Sequence, residues 1–246
     1  MMLRRRASAA PDPILALFAS GEQGAWYDPS DSATVFTDAA GTIPAVEDDS
    51  VRHIADKSGN GNHAIQADIA KAPILRKTAS GLWYLEFDGV DDGLILNSNP
   101  LLGTVAKSVF FGIRPLQAPF ARFYFEGGTG SSGSSYLLSN EIALRVFGGN
   151  ELYATALPSG SDGVITNILP AEADVTDNEA WLDGASLAAS SSLAIGVSLT
   201  GPAALGTNSS TGLFHRMYCG VIVAADKTAD RASVEAEIAK KSGVTL

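Results

Sequence analysis

The chain is poor in cysteine, in basic residues and in long apolar runs, and each shortage excludes a class of protein. Its one cysteine, Cys219, excludes an intrachain disulfide framework and a metal centre built from several thiolates. With 17 basic against 27 acidic residues, the net charge of −10 argues against nucleic-acid binding, which requires a concentrated positive field. No apolar run approaches the roughly 18 residues that cross a membrane, so we expect no membrane insertion.

Charged residues are also scarce, at 18%, whereas glycine is abundant, with 25 residues in 246. Soluble domains average about 25% charged residues and ~7% glycine. Low charge with many glycines indicates short strands joined by tight turns and not a charged helical bundle. At 46% hydrophobic the chain can bury a sizeable core, and its length suits one large all-β domain or two small ones.

Three parts follow one another: an arm at 1–24, a β body at 25–225 and a tail at 226–246. The arm has the basic tip Arg4–Arg6, a Pro-Asp-Pro breaker and a short apolar helix over Ile14–Ala19. That helix must bury its apolar face, either on this domain or on a partner. Its apolar run is shorter than the roughly 7–15 residues of a secretory signal, so we expect synthesis in the cytoplasm without export.

The body shows the composition and turn chemistry of β-strands. Aromatic and β-branched runs predict strands at Trp83–Phe87 and, last in the body, at Phe214–Val223. Residues 180–187 predict a hairpin, because Asp183-Gly184 supplies the positive φ angles of a type I′ turn.

The tail has helical spacing instead. Val234 and Ile238 are four positions apart, which predicts an amphipathic helix over Asp230–Lys241 that packs on the sandwich. Gly243 is placed to end it in a left-handed cap.

Motifs for catalysis are absent or incomplete. Residues 128–133 read G-x-G-x-x-G, but strand-like residues follow where a dinucleotide site needs a helix. The three histidines lack metal-ligand spacing, and no G-x-S-x-G elbow is present. A retaining glycosidase requires two carboxyls about 5–5.5 Å apart. Glu86 begins the matching E-x-D-x-x-E pattern, but Asp91 stands where the second glutamate belongs, so we do not predict an enzyme.

Three segments carry most of the remaining information: D-K-S-G-N-G-N-H-A at 56–64, L-E-F-D-G-V-D-D at 85–92 and W-L-D-G at 181–184. In this order they resemble the LamG-like, concanavalin A-like lectin-glucanase jelly-roll domain. The segments at 24–31 and 241–246 resemble bacteriophage and prophage virion proteins that carry this domain. The resemblance covers 22–246 and implies an all-β, two-sheet antiparallel jelly-roll sandwich with an N-terminal arm and one C-terminal helix.

The matching residues have two interpretations. We interpret most of them as devices of the fold, since acidic side chains accept backbone N–H bonds in turns and glycine permits unusual backbone; these are Gly59, Asn60, Gly61, Asn62, Phe87, Asp88 and Gly89. The functional alternative is a Ca²⁺ site, in which Asp56, Asp91 and Asp92 supply hard oxygen ligands.

Glycan recognition, which the resemblance implies for many members, needs exposed aromatic rings with polar partners. The candidate rings are Tyr124, Tyr136, Tyr153 and Trp181, and the candidate amides are Asn140, Asn150 and Asn178. Packing in the core or at its rim is the competing interpretation of each ring.

The resemblance predicts a phage or phage-like virion protein, such as a tail fibre, tail tip or head spike, that binds host surface carbohydrate without catalysis. Residues 1–24 would attach it to other virion proteins, and a homotrimer would suit a fibre or spike. The alternatives are a purely structural or decoration module of the virion without glycan binding, and a glycoside hydrolase on the same fold.

Overall fold

The computed structural model describes residues 12–116, 125–126, 129–130, 143–146, 149–153, 157–158, 160–172, 174–191, 198–206 and 214–246. Its helices are α1 (Pro13–Ala16) and α2 (Arg231–Ser242), with 3₁₀ turns at Ile69–Lys71 and Val175–Asp177. Its strands are β1 Gly24–Tyr27, β2 Val35–Phe36, β3 His53–Ile54, β4 Ala64–Ile65, β5 Ile74–Lys77, β6 Trp83–Asp88, β7 Gly93–Leu96, β8 Lys107–Pro115, β9 Phe125–Glu126, β10 Thr129–Gly130, β11 Ala143–Val146, β12 Gly149–Tyr153, β13 Gly163–Leu169, β14 Glu179–Leu182, β15 Ala185–Ser186, β16 Ala189–Ser191, β17 Leu199–Thr200, β18 Ala204–Gly206 and β19 Phe214–Val223.

Two main antiparallel sheets are formed by these strands. The larger has the order β15-β14-β13-β8-β19-β6-β5, and β1 also pairs with the second half of β19. The smaller has the order β2-β3-β4-β7-β18-β9. Short strands add the pair β10-β17 and the sheet β11-β12-β16.

The main core lies between the two sheets. Strand β8 contributes Val109, Phe111 and Ile113, which alternate along the chain and so point to one face. Strand β7 contributes Leu94 and Leu96 from the smaller sheet, and all five side chains are buried. The two antiparallel sheets therefore pack as a sandwich.

A second core covers the opposite face of the larger sheet. The intervening residue Phe110 points to that face, where it packs with Val234 and Ile238 of α2. Ile14 and Leu17 join the same cluster, so the apolar face of the N-terminal helix is buried on this chain. This decides between the two locations that the sequence left open.

Several predicted elements are confirmed with their turn chemistry. Asp183 and Gly184 have φ angles of 50° and 79° between β14 and β15, as the predicted hairpin requires. Helix α2 ends at Gly243, whose left-handed φ of 75° completes the cap. Helix α1 is shorter than the predicted 14–19, because hydrogen-bonded turns replace it before Gly21. Within the described residues, no helix is long and apolar enough to cross a membrane.

Candidate functional site

The Gly-Asn loop is organised around the carboxylate of Asp56. Its Oδ1 accepts the backbone N–H groups of Trp26 and Ser58, each at 2.8 Å. Its Oδ2 accepts the Ser58 hydroxyl at 2.8 Å and the Asn62 N–H at 3.0 Å. Both oxygens of Asp56 are thus engaged inside the loop.

The rest of this loop fastens it to β1. The side-chain amides of Asn60 and Asn62 donate to the Gly24 carbonyl oxygen, at 3.2 and 2.8 Å. Gly59 and Gly61 have φ angles of 93° and 76°, which disfavour a side chain. All four motif residues therefore have structural roles in the loop.

The acidic turn after β6 brings three carboxylates together. One oxygen each from Asp88, Asp91 and Asp92 lies within 4.8 Å of the others, the one such group found among the described residues. Burial, and then the charges of Asp88 and Asp91, raise the pKa of Asp92 to about 6, although its carboxylate accepts the Asp88 N–H at 2.8 Å. Lys71 pairs with Asp91 at 3.5 Å.

This donor set has the chemistry that Ca²⁺ prefers, since the ion takes 6–8 oxygen ligands. Asp91 and Asp92 of the predicted trio belong to it, with Asp88 in place of Asp56. The neighbouring motif residues have structural roles: the ring of Phe87 stacks on His215 with centroids 4.4 Å apart, and Gly89 has a φ of 80°.

The candidate sugar-binding residues are not brought together in the described part of the chain. Trp181 is 8% exposed in the second core, and the Arg231 guanidinium lies 4.6 Å from its ring centroid. Asn178 is also buried. The others lie outside what the structure describes: Tyr124, Tyr136 and Asn140 entirely, and the side chains of Asn150 and Tyr153 on β12.

A row of charged residues crosses the outer face of the larger sheet, and we call it the arginine row: Glu86, Arg216, Arg114 and Asp162. Strand register sets Glu86 opposite Arg216, and Arg216 opposite Arg114. Arg114 forms an ion pair with Asp162 at 3.2 Å, and Arg216 one with Glu86 at 3.5 Å. Two arginines therefore face each other at the centre, with one carboxylate at each end.

Two tyrosines support the row from the same face. The register shifts between Met217 and Cys219, so that Tyr218 is the extra residue of a β-bulge. Its ring lies 5.5 Å from that of Tyr84, and the Arg216 guanidinium lies 4.4 Å from the centroid of Tyr84. Burial raises the pKa of Tyr218 to about 12.

Hydrogen-bonding capacity in this row is incompletely used. Among the described residues, two buried atoms here have no partner: Nε of Arg114 and Oδ1 of Asp162. Native proteins leave few such groups unsatisfied, and a cluster of them is typical of a place where water or a ligand binds. The row could not be predicted from the sequence, because its residues are far apart in the chain and meet only through strand register.

Comparison with known proteins identifies the fold. No protein-family model matches the sequence, and no curated protein matches it. Among solved structures, the chain resembles domain 4 of an extracellular arabinanase from Geobacillus stearothermophilus, in complex with arabinotriose, with a TM-score of 0.54 and 12% identity over 87% of this chain and 98% of that one. It also resembles Trypanosoma rangeli sialidase, with a TM-score of 0.52 and 12% identity.

The sialidase match covers 92% of this chain but 34% of the sialidase, so the chain spans about a third of that protein. An arabinofuranosidase in complex with arabinofuranosyl-α-1,2-xylobiose matches with a TM-score of 0.53 and 16% identity, over 94% of this chain and 65% of that one. At these identities the likeness shows the fold alone.

Proposed function

We propose that this chain is a non-catalytic, saccharide-binding sandwich domain of a phage or phage-like virion, which attaches the particle to host surface carbohydrate. The proposal assigns the sandwich to the concanavalin A-like jelly-roll type. Residues 1–24 would join other virion proteins, and the assembled protein would be a homotrimer in a fibre or spike.

One observation carries the saccharide assignment. The chain matches nearly the whole of a solved domain whose structure contains arabinotriose. That match covers 87% of this chain and 98% of the domain, whereas the sialidase match covers about a third of a larger protein. Fold likeness does not transfer a ligand by itself, so binding is the quantity to test.

The environment of the incomplete carboxylate motif supports a non-catalytic role. The two Glu86 oxygens face two guanidinium groups, Arg76 and Arg216, each at 3.5 Å. Asp88 accepts the Val90 N–H at 2.8 Å, and Asp91 pairs with Lys71. These contacts use the carboxylates for pairing and turn formation, whereas glycoside cleavage needs one carboxyl free to protonate the leaving group.

The virion setting rests on the sequence resemblance of the segments at 24–31 and 241–246. Neighbouring reading frames that encode virion-assembly proteins would support it, and neighbours from a polysaccharide-degradation cluster would contradict it.

A glycan array and a host-cell pull-down with the purified full chain test the saccharide assignment. We expect saturable binding to at least one saccharide class and to host cells. Absence of both would contradict it and leave the structural or decoration module. Release of reducing sugar from a bound polysaccharide, lost in Glu86→Gln, would contradict the non-catalytic role.

A further inference from the structure

We propose that the arginine row is the saccharide contact of this domain and that it selects acidic glycans, with a sugar carboxylate bridging Arg114 and Arg216. The inference rests on the proposed function and deepens it, since it names the surface and the chemical class of the ligand.

The central observation is the pairing of like charges. Arg114 and Arg216 are register partners on the adjacent strands β8 and β19. Like charges directly opposite each other destabilise a sheet. Each guanidinium already pairs with one carboxylate at the end of the row, and an anion bound between the two would reduce the repulsion that remains. The planar fork of arginine suits carboxylates.

The second observation is the unused hydrogen-bonding capacity of the same side chains. Nε of Arg114 is a donor without a partner, and Oδ1 of Asp162 is an acceptor without one, among the residues that the structure describes. Nε of Arg216 lies 3.5 Å from the Glu86 carboxylate, longer than a normal hydrogen bond. Tyr218 is fully buried, and its hydroxyl lies beside the side chains of Asp162 and Arg216. Donors for an anion next to acceptors for hydroxyl groups match a sugar acid better than a bare inorganic anion, which offers few donors.

The row is also accessible. Helix α2 covers β8 as far as Gly112, where an added Cβ would lie 2.9 Å from Ile238. Arg114 is the next outward-pointing residue of the strand, and its side chain is 29% exposed. The side chains of Arg216 and Asp162 are 21% and 26% exposed. A ligand can therefore contact the row beside the C-terminal end of the helix.

The chain's overall charge sharpens this assignment. At a net charge of −10 the domain repels anions in general. Two carboxylates balance the two arginines of the row, so an acidic glycan would bind here through direct contacts with the guanidinium groups and not through a net positive field.

Isothermal titration calorimetry with a panel of uronic-acid oligosaccharides tests the inference, each compared with its own methyl ester. We expect the free acid to bind at least tenfold more tightly than the ester, with an affinity that falls as salt rises. Arg114→Gln and Arg216→Gln should each lose tenfold or more. Arg216→Lys keeps the positive charge but lacks the planar guanidinium group, so its affinity should lie between those of the wild type and Arg216→Gln.

Lys240→Gln is the matched control, because it removes one positive charge from an exposed site on α2. It should bind like the wild type, and circular dichroism should show that every variant is folded. Equal binding of acid and ester, or unchanged binding in the folded arginine variants, would overturn the inference while leaving the proposed function intact. Inorganic phosphate that binds as tightly as the oligosaccharide would overturn the saccharide selectivity. If no saccharide on the array or in the panel binds, the proposed function fails and the inference fails with it.

Discussion

The ε-ammonium group of Lys241, in the last turn of α2, lies 2.9 Å from Oδ2 of Asp28, the residue that follows β1. Lys57, in the Gly-Asn loop, reaches the same oxygen at 3.0 Å. Asp28 is 2% exposed, so this one carboxylate ties the C-terminal helix and the loop to the start of the sandwich.

Removing one partner of this group should destabilise the fold. We expect Lys241→Gln to lower the free energy of unfolding by about 2 kcal/mol, below the range of ~3–5 for fully buried pairs because the lysine reaches water. Lys240→Gln, which removes a neighbouring exposed ammonium, should change it by about 0.5 kcal/mol or less. Chemical denaturation at pH 7 measures both, and equal effects would contradict the role of Lys241.

The same ion group predicts a pH dependence. Burial raises the pKa of Asp28, but hydrogen bonds from Ser30 and Lys241 and the charges of both lysines outweigh it, so the pKa is lowered below 3.8. A carboxyl with a lowered folded-state pKa stabilises the fold above its unfolded pKa and loses that contribution as pH falls through the folded one. The cost of Lys241→Gln should therefore shrink below about pH 3.8.

For Asp92 we expect a pH dependence of stability with the opposite sign. Its pKa is raised from 3.8 to about 6, so the folded state binds a proton more tightly than the unfolded state. Its charge then costs stability above about pH 6, and this cost disappears as pH falls towards 4. In excess chelator, Asp92→Asn, which can still accept the Asp88 N–H, should stabilise the protein by about 1–3 kcal/mol at pH 7.5. At pH 4 it should match the wild type, and a destabilised variant at pH 7.5 would contradict the sign.

The calcium hypothesis is tested on the wild type and on Asp92→Asn. An ion held by Asp88, Asp91 and Asp92 stabilises the native state alone and raises the melting temperature of the wild type. Asp92→Asn should lose most of that rise. The hypothesis is contradicted if the wild type has the same melting temperature in excess Ca²⁺ and in excess chelator.

Substitution of Asp56 tests whether this residue serves the turn or binds a metal ion. Asp56→Ala leaves the N–H groups of Trp26, Ser58 and Asn62 without their acceptor. We expect a loss of about 2–4 kcal/mol, since each buried unsatisfied group costs about 1–3. Because both oxygens serve the loop, this loss should be the same with chelator and with Ca²⁺. A loss that appears only with Ca²⁺ present would identify Asp56 as a ligand.

Local chemistry explains why the elements of the fold could be predicted. The turn at Asp183-Gly184 depends on two neighbouring residues, and the cap at Gly243 depends on one. Strand Phe214–Val223 is a single unbroken run of residues, so its composition is enough to identify it. Burial of Ile14 and Leu17 could not be predicted, because an apolar stripe does not indicate which surface covers it.

The arginine row depends on strand register instead. Glu86, Arg114 and Arg216 lie on three strands, and nothing local to any of them shows that the pairing sets two arginines opposite each other. The bulge that adds Tyr218 to the row is likewise a property of the paired strands. Trp181 shows the reverse case: it is a candidate sugar-binding ring by residue type, but α2 covers it, which confirms the competing interpretation of packing in the core.

Cys219 offers a direct probe of this second core. It is the chain's one cysteine, it is fully buried beneath the helices, and burial raises the pKa of its thiol to about 12. Only the thiolate reacts with alkylating reagents, so labelling requires opening of the core. We expect the native protein to label at pH 8 orders of magnitude more slowly than the denatured chain. Ile238→Ala should cost about 2–4 kcal/mol and speed labelling by about 30-fold or more, because the population of the open state rises with the loss of stability. Lys240→Gln should label at the wild-type rate, and rapid labelling of the native wild type would show that α1 and α2 do not seal this face of the sheet.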